Sequence, residues 1–209
     1  GNRTAARECQ QILKDFEVYV CPNVMPKFGV LQIEPAQKQI REIFLNRIIQ
    51  AKGLSKAAEL LSDIMMPTPS AVLQAMELLA QGCEGESGIG ERIGVDVGGA
   101  TTDVYSIADG MPEHMNTVFK GLPEPYAKRT VEGDIGMRYS IQGIVDAVGT
   151  ECISHLSGLS KERVRQLVED LREHTDKVPC GDDELEQLDY ALASMAIQEA
   201  VSRHAGTIE

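Results

Sequence analysis

The stretch Gly94–Ser106, GVDVGGATTDVYS, decides how this chain is read. Ile93, Val95 and Val97 alternate with small or polar neighbours; two glycines and small hydroxyl residues follow, and a second apolar run leaves through Val104, Tyr105 and Ile107. A period of two on both sides of the glycines predicts adjacent antiparallel strands over 93–97 and 102–107, with the tip at 98–101. Thr117-Val118-Phe119 is the candidate third strand of an antiparallel meander.

The same residues carry chemistry. Gly98 and Gly99 lack a Cβ, so the tip can take positive φ angles and admit a bulky anion to the backbone. Successive amides in such a turn converge into an anion-binding nest, and Thr101 and Thr102 add hydroxyl donors. Asp96 projects from the face opposite to Val95 and Val97, just before the turn. A carboxylate there would repel a phosphate unless a cation lay between them, which is the arrangement for a hydrated Mg²⁺. Asp103, on the outgoing strand, is placed for a second water or cation. The bland alternative is a Gly-Gly hairpin whose Asp and Thr side chains satisfy turn amides. Asp, Gly, Gly, Thr, Thr and Asp within 96–103 are more than a turn requires.

Other phosphate motifs fail. The chain holds no G-x-x-x-x-G-K-[ST] loop, and Gly88, Gly90 and Gly94 miss the dinucleotide spacing and precede a strand instead of following one. No G-x-S-x-G elbow occurs.

Outward from the hairpin, Gln81–Gly90 (QGCEGESGIG) is glycine- and glutamate-rich and reads as a connection between a helical part at 1–80 and a part at 91–209. In the first part, Ala5–Leu13 reads as a short helix and Glu17–Cys21 as strand-like. Pro35 opens an amphipathic helix with Ile40, Ile43, Phe44, Ile48 and Ile49, and Leu54–Leu61 reads as another helix. Thr68-Pro69 starts one with Val72, Leu73, Met76 and Leu79 on a face. Beyond Gly121 the chain reads as helical. Ile141, Ile144, Val145 and Val148 mark one helix, and Ser160 caps a second with Val164, Leu167, Val168 and Leu171. Asp182, Asp183 and Glu184 open the last, with Leu185, Leu188, Leu192 and Met195 on its buried face. The fold class is α/β.

Composition narrows the function. Lysine plus arginine is 20 against 32 acidic residues in 209, a formal charge of −12, which argues against coating nucleic acid or an anionic membrane. No apolar run nears the ~20 residues that span a bilayer, and Gly1–Ala5 is too polar for a signal peptide. The five cysteines lack a C-x-x-C pair and the four histidines lack ligand spacing. Reduced thiols in the cytoplasm fit better than disulfides or zinc.

DVGGATTDV resembles the second phosphate-binding segment of the actin, heat-shock chaperone and sugar-kinase ATPase superfamily, whose core is ribonuclease H-like. Glu132-Gly133-Asp134-Ile135-Gly136 sits where the chaperone members have a glycine-acidic turn entering a helix. More narrowly, NVMPKFGVLQIEP (23–35), REIFLNRIIQAKGLS (41–55), IMMPTPSAVLQA (64–75), DVGGATTDVYSIADG (96–110) and GLPEPYAKRTVEGDIGMRYS (121–140) resemble the MutL-type accessory proteins of adenosylcobalamin-dependent glutamate mutase.

The resemblance implies an actin-like half-lobe and a chaperone-like ATPase that services mutase subunits, with ATP and Mg²⁺ as cofactors. Asp96 would face Mg²⁺; Gly98, Gly99, Ala100, Thr101 and Thr102 would surround the phosphates; Asp103 would stand near the catalytic water or a cation. Glu132, Gly133 and Asp134 would lie near the nucleotide. Lys128, Arg129 and Arg138 either order the loop or pair with acids, or form a solvated charged segment. The superfamily's first phosphate segment and its adenosine motif are not found here, so this chain alone is expected to bind ATP weakly at best. A small-molecule kinase of the same fold, or a mutase-binding module without hydrolysis, are the alternatives.

Overall fold

The computed structural model describes residues 2–51, 66–110, 124–181 and 183–206. The expected helix at 54–61, the expected strand at 117–119, Asp182 and the side chains of Ile48 and Ile49 lie outside the described residues. The chain forms two units, 1–70 and 71–209.

In the first unit, α1 (Arg3–Ile12) starts where the Asn2 side chain accepts from the Thr4 and Ala5 amides, and α2 (Glu34–Ala51) starts at Glu34-Pro35. Glu17–Cys21, expected as a strand, is irregular. Among the described residues no strand pairs with it, and an apolar run without a pairing neighbour gives no ladder.

The second unit takes in most of α3 (Thr68–Gln81). Residues 81–90, expected as an open connection, hold a small hairpin of β1 (Gly82–Cys83) and β2 (Glu86–Ser87). The Ile89 and Gly90 amides return to the Leu79 and Ala80 carbonyls. Leu79, expected on the buried face of α3, is exposed, and Ala80 is buried in its place.

The main sheet is a meander of β3 (Arg92–Val97), β4 (Thr102–Ile107) and β5 (Ala127–Glu132), all antiparallel. The hairpin falls where period two puts it, with Val97 opposite Thr102. The third described strand is AKRTVE, in a segment expected to be helical or loop.

α4 (Ile141–Ser157), α5 (Lys161–Glu173) and α6 (Asp183–Ala205) follow. The Ser160 side chain caps α5 by accepting from the Arg163 amide. Ile141, Ile144, Val164, Leu171, Leu188 and Leu192 are completely buried in one core with Ile135. The apolar stripes of all three helices therefore do what their spacing requires. α6 also lies along the sheet, where it touches β3, β4 and β5. On its other face, the sheet meets α3 at Gly94, where a Cβ would come within 2.7 Å of the Met76 methyl.

Candidate functional site

Register sorts the sheet residues by face. Asp96 is directly opposite Asp103, and Val97 opposite Thr102, which in turn faces Glu132. Asp96 and Asp103 thus share one face, while Val97, Thr102 and Glu132 share the other. The second of these faces is the one covered by α6. The buried Thr102 hydroxyl donates there to the Ile135 carbonyl at 3.0 Å.

The tip is built by what lies beneath it. The Gly98 amide donates to the Thr101 carbonyl at 2.8 Å and closes the turn. The Gly98 carbonyl accepts from the Met137 amide (2.9 Å), and the Gly99 carbonyl accepts from the Arg138 and Tyr139 amides (both 2.8 Å). Gly136 makes this approach possible, since a Cβ there would fall 2.4 Å from the Ala100 carbonyl carbon.

A trans peptide directs its C=O and the following N–H to opposite sides. Because the carbonyls of Gly98 and Gly99 point into the 137–139 loop, the amides of Gly99 and Ala100 point away from it. Among the described residues, the Gly99, Ala100 and Thr101 amides have no hydrogen-bond partner. Asp96 is exposed, and its carboxylate has neither a hydrogen bond nor an ion pair among the described residues. Unpaired donors and an unpaired carboxylate at one turn can hold an anion together with a cation that bridges it to the acid.

The glycines serve a different purpose from the one expected. Neither Gly98 nor Gly99 has a left-handed φ. A Cβ on Gly98 would lie 2.9 Å from the Thr101 carbonyl oxygen, so this position needs glycine for close approach. At Gly99 a Cβ would meet only the Tyr139 ring and the Arg138 stem, at 3.8 Å or more. A Cβ at Gly99 would make ordinary van der Waals contact with these two side chains.

The other expected site residues are distributed elsewhere. Asp103 is half-buried and held by Arg129, whose Nε donates to its Oδ1 at 2.7 Å. Glu132 and Asp134 both pair with Arg203 of α6, at 2.8 and 2.9 Å. These bonds, with another to Glu199, push the Arg203 pKa up. Gly133 has open space above it. Lys128, Arg129 and Arg138 all pair with acids. Lys128 bonds Glu124, and Arg138 makes a two-point bond to Asp189 while also donating to the Lys177 and Met137 carbonyls.

Sequence reading missed His204. Its ring bridges the Thr130 and Ser106 hydroxyls, both at 2.8 Å, and burial followed by the nearby Lys128 charge lowers its pKa. Nothing in its local sequence singles it out, because both partners lie on strands far away in the chain.

The family model described as MutL protein matches residues 1–209. The chain belongs to the MutL protein family. This MutL-family chain is 43% identical, over 211 residues, to Protein MutL of Clostridium tetanomorphum. The match covers 100% of the chain and 46% of that relative, so the chain spans about half the length of the curated protein it resembles. No solved structure matches it. No helix among the described residues of the MutL-family chain is long and apolar enough to cross a membrane. Among those residues, no three His, Cys, Asp or Glu side chains gather to hold a metal. A cation at the hairpin would therefore rest on Asp96 and on whatever oxygens an anionic ligand brought.

Proposed function

We propose that the 98–101 turn binds the phosphates of Mg²⁺-ATP, in an actin-like ATPase that maintains an adenosylcobalamin-dependent glutamate mutase. Support for the nucleotide comes from one observation above all: the amides of Gly99 and Ala100, three and four residues beyond the exposed Asp96 carboxylate, have no partner among the described residues and point away from the 137–139 loop. Each hydrogen bond to a charged phosphate oxygen contributes about 1.5–3 kcal/mol. Asp96 would take the cation through its water shell, and Mg²⁺ would supply charge neutralisation for the phosphates. Membership of the MutL family supports the mutase as client, reached in the cytoplasm.

The partner residues of the turn have their own part. The 136–139 loop fixes the turn by accepting none of its amides and donating to its carbonyls. Arg138, clamped to Asp189, anchors that loop to α6. The turn is held in its binding shape before any ligand arrives, which reduces the ordering cost of binding.

A second reading, nucleotide or mutase binding without hydrolysis, is favoured by Asp103. The residue that would stand near the catalytic water is already paired with Arg129. Calorimetric titration of the full-length protein with ATP, with and without Mg²⁺, tests the binding. Phosphate release, with and without the mutase, separates the two readings. No Mg²⁺-dependent ATP binding by the full-length protein would overturn the nucleotide site and leave mutase binding alone.

A further inference from the structure

Asp96 and Asp103 oppose each other at the same register position of adjacent strands, where like charges repel. The sheet relieves that repulsion asymmetrically. Arg129 lies on the third strand, opposite Tyr105 and diagonal to Asp103, and reaches Asp103 with both Nε (2.7 Å) and Nη2 (2.5 Å). The Asp103 side chain is only 13% exposed. Asp96 receives no such partner among the described residues and is exposed.

We propose that Arg129 is a positioning residue that withholds Asp103 from metal binding, leaving Asp96 as the single carboxylate offered to a cation. This rests on the reading of Asp96 as the cation residue. Two facing free carboxylates would form a cup of charge −2, able to hold a divalent ion without any nucleotide. With Arg129 in place, the pair and the guanidinium sum to −1. One carboxylate alone holds a divalent ion weakly, so the remaining ligands must be water and phosphate oxygens. Arg129 thereby makes cation binding conditional on the nucleotide.

The test is Mn²⁺ binding to the full-length protein with no nucleotide present, read from the electron spin resonance of the free ion. Arg129→Gln is expected to tighten Mn²⁺ binding tenfold or more, and adding either Asp96→Asn or Asp103→Asn should abolish the gain. Arg129→Lys, which keeps a charge on Asp103, should return affinity toward wild type. Circular dichroism checks folding, and Arg129→Met, which keeps the apolar stem, replaces Arg129→Gln should that variant unfold. A folded Arg129→Gln or Arg129→Met protein that binds Mn²⁺ no more tightly than wild type overturns the proposal, as does a gain that survives Asp103→Asn. A purely structural role for Arg129 would not raise metal affinity. Because no nucleotide is in the sample, this outcome is distinct from failure of the full-length protein to bind Mg²⁺-ATP, which bears on the phosphate reading.

Discussion

The Thr102 hydroxyl donates to the carbonyl of Ile135 in the buried layer between sheet and helices, at 3.0 Å. This bond ties the first residue of β4 to the loop that supports the turn. The resemblance implies that Thr102 surrounds the phosphates, but its hydroxyl is engaged on the opposite face from Asp96. Thr102→Val keeps the shape and leaves the Ile135 carbonyl without that donor, a cost of about 1–3 kcal/mol. Urea unfolding should show this loss, with Thr102→Ser close to wild type. A Thr102→Val protein as stable as wild type would count against the bond.

Gly99 allows folding and binding to be separated. The nearest atom to an added Cβ is 3.8 Å away and φ is not left-handed, so Gly99→Ala is expected to change stability by less than about 1 kcal/mol. Gly99→Val should also fold, yet weaken ATP binding by the full-length protein tenfold or more, because a stiff β-branched side chain in the turn hinders the approach of a phosphate to the neighbouring amides. Calorimetric titration beside thermal melting checks both. Equal ATP affinity for Gly99→Val and wild type would remove the turn from the binding site.

The hairpin was legible because its alternation is strict and its glycines sit between two apolar runs. The α4, α5 and α6 cores were legible for the same reason at helical spacing, and Leu185, Leu188 and Leu192 are buried as their pattern requires. β5 was not. Its sequence AKRTVE puts polar residues on both faces, and those residues are satisfied largely by partners distant in the chain. Lys128 donates to the His204 carbonyl, Thr130 meets the His204 ring, and Glu132 takes Arg203. A strand whose polar side chains are paired from another element lacks the hydrophobic signature that strand reading depends on. The free amides of the turn were equally illegible in detail, since they follow from the direction of the Gly98 and Gly99 carbonyls toward the 137–139 loop.

His204 predicts how stability depends on pH. It is 5% exposed and bridges two hydroxyls, with Lys128, Glu124 and Glu132 on the sheet side and Arg203 on its own helix. Its pKa is lowered, first by burial and then by Lys128. The folded state therefore prefers the neutral ring. Above the unfolded value of about 6.5, both states are neutral and the full stability is present. As pH falls below it, the unfolded chain binds a proton first, and stability drops by up to about 1.4 kcal/mol per pH unit until the folded pKa is passed. His204→Gln, which can still donate and accept, should flatten this part of the curve. Urea unfolding at pH 7.0, 6.0 and 5.0 reads the difference, and parallel curves for the two proteins would show that His204 does not supply it.

Asp96 supplies the sharpest test of the site. Its carboxylate makes no hydrogen bond or ion pair among the described residues, and it faces Asp103, so nothing in the fold depends on its charge. Removing it relieves a like-charge pair, which is worth about 0.2–1 kcal/mol at directly opposed positions. Asp96→Ala should therefore unfold at a urea concentration equal to or slightly above wild type. Ligand binding should respond in the opposite direction. In the full-length protein, wild type is expected to bind ATP more tightly with Mg²⁺ than without it, because the cation joins the phosphates to Asp96. In Asp96→Ala that Mg²⁺-dependent gain should vanish, while the amides of Gly99 and Ala100 keep a residual, metal-independent affinity. Loss of stability together with binding would assign Asp96 a structural role that its surroundings do not suggest. An undiminished Mg²⁺ effect in a stable Asp96→Ala protein would end the case for a cation at this hairpin.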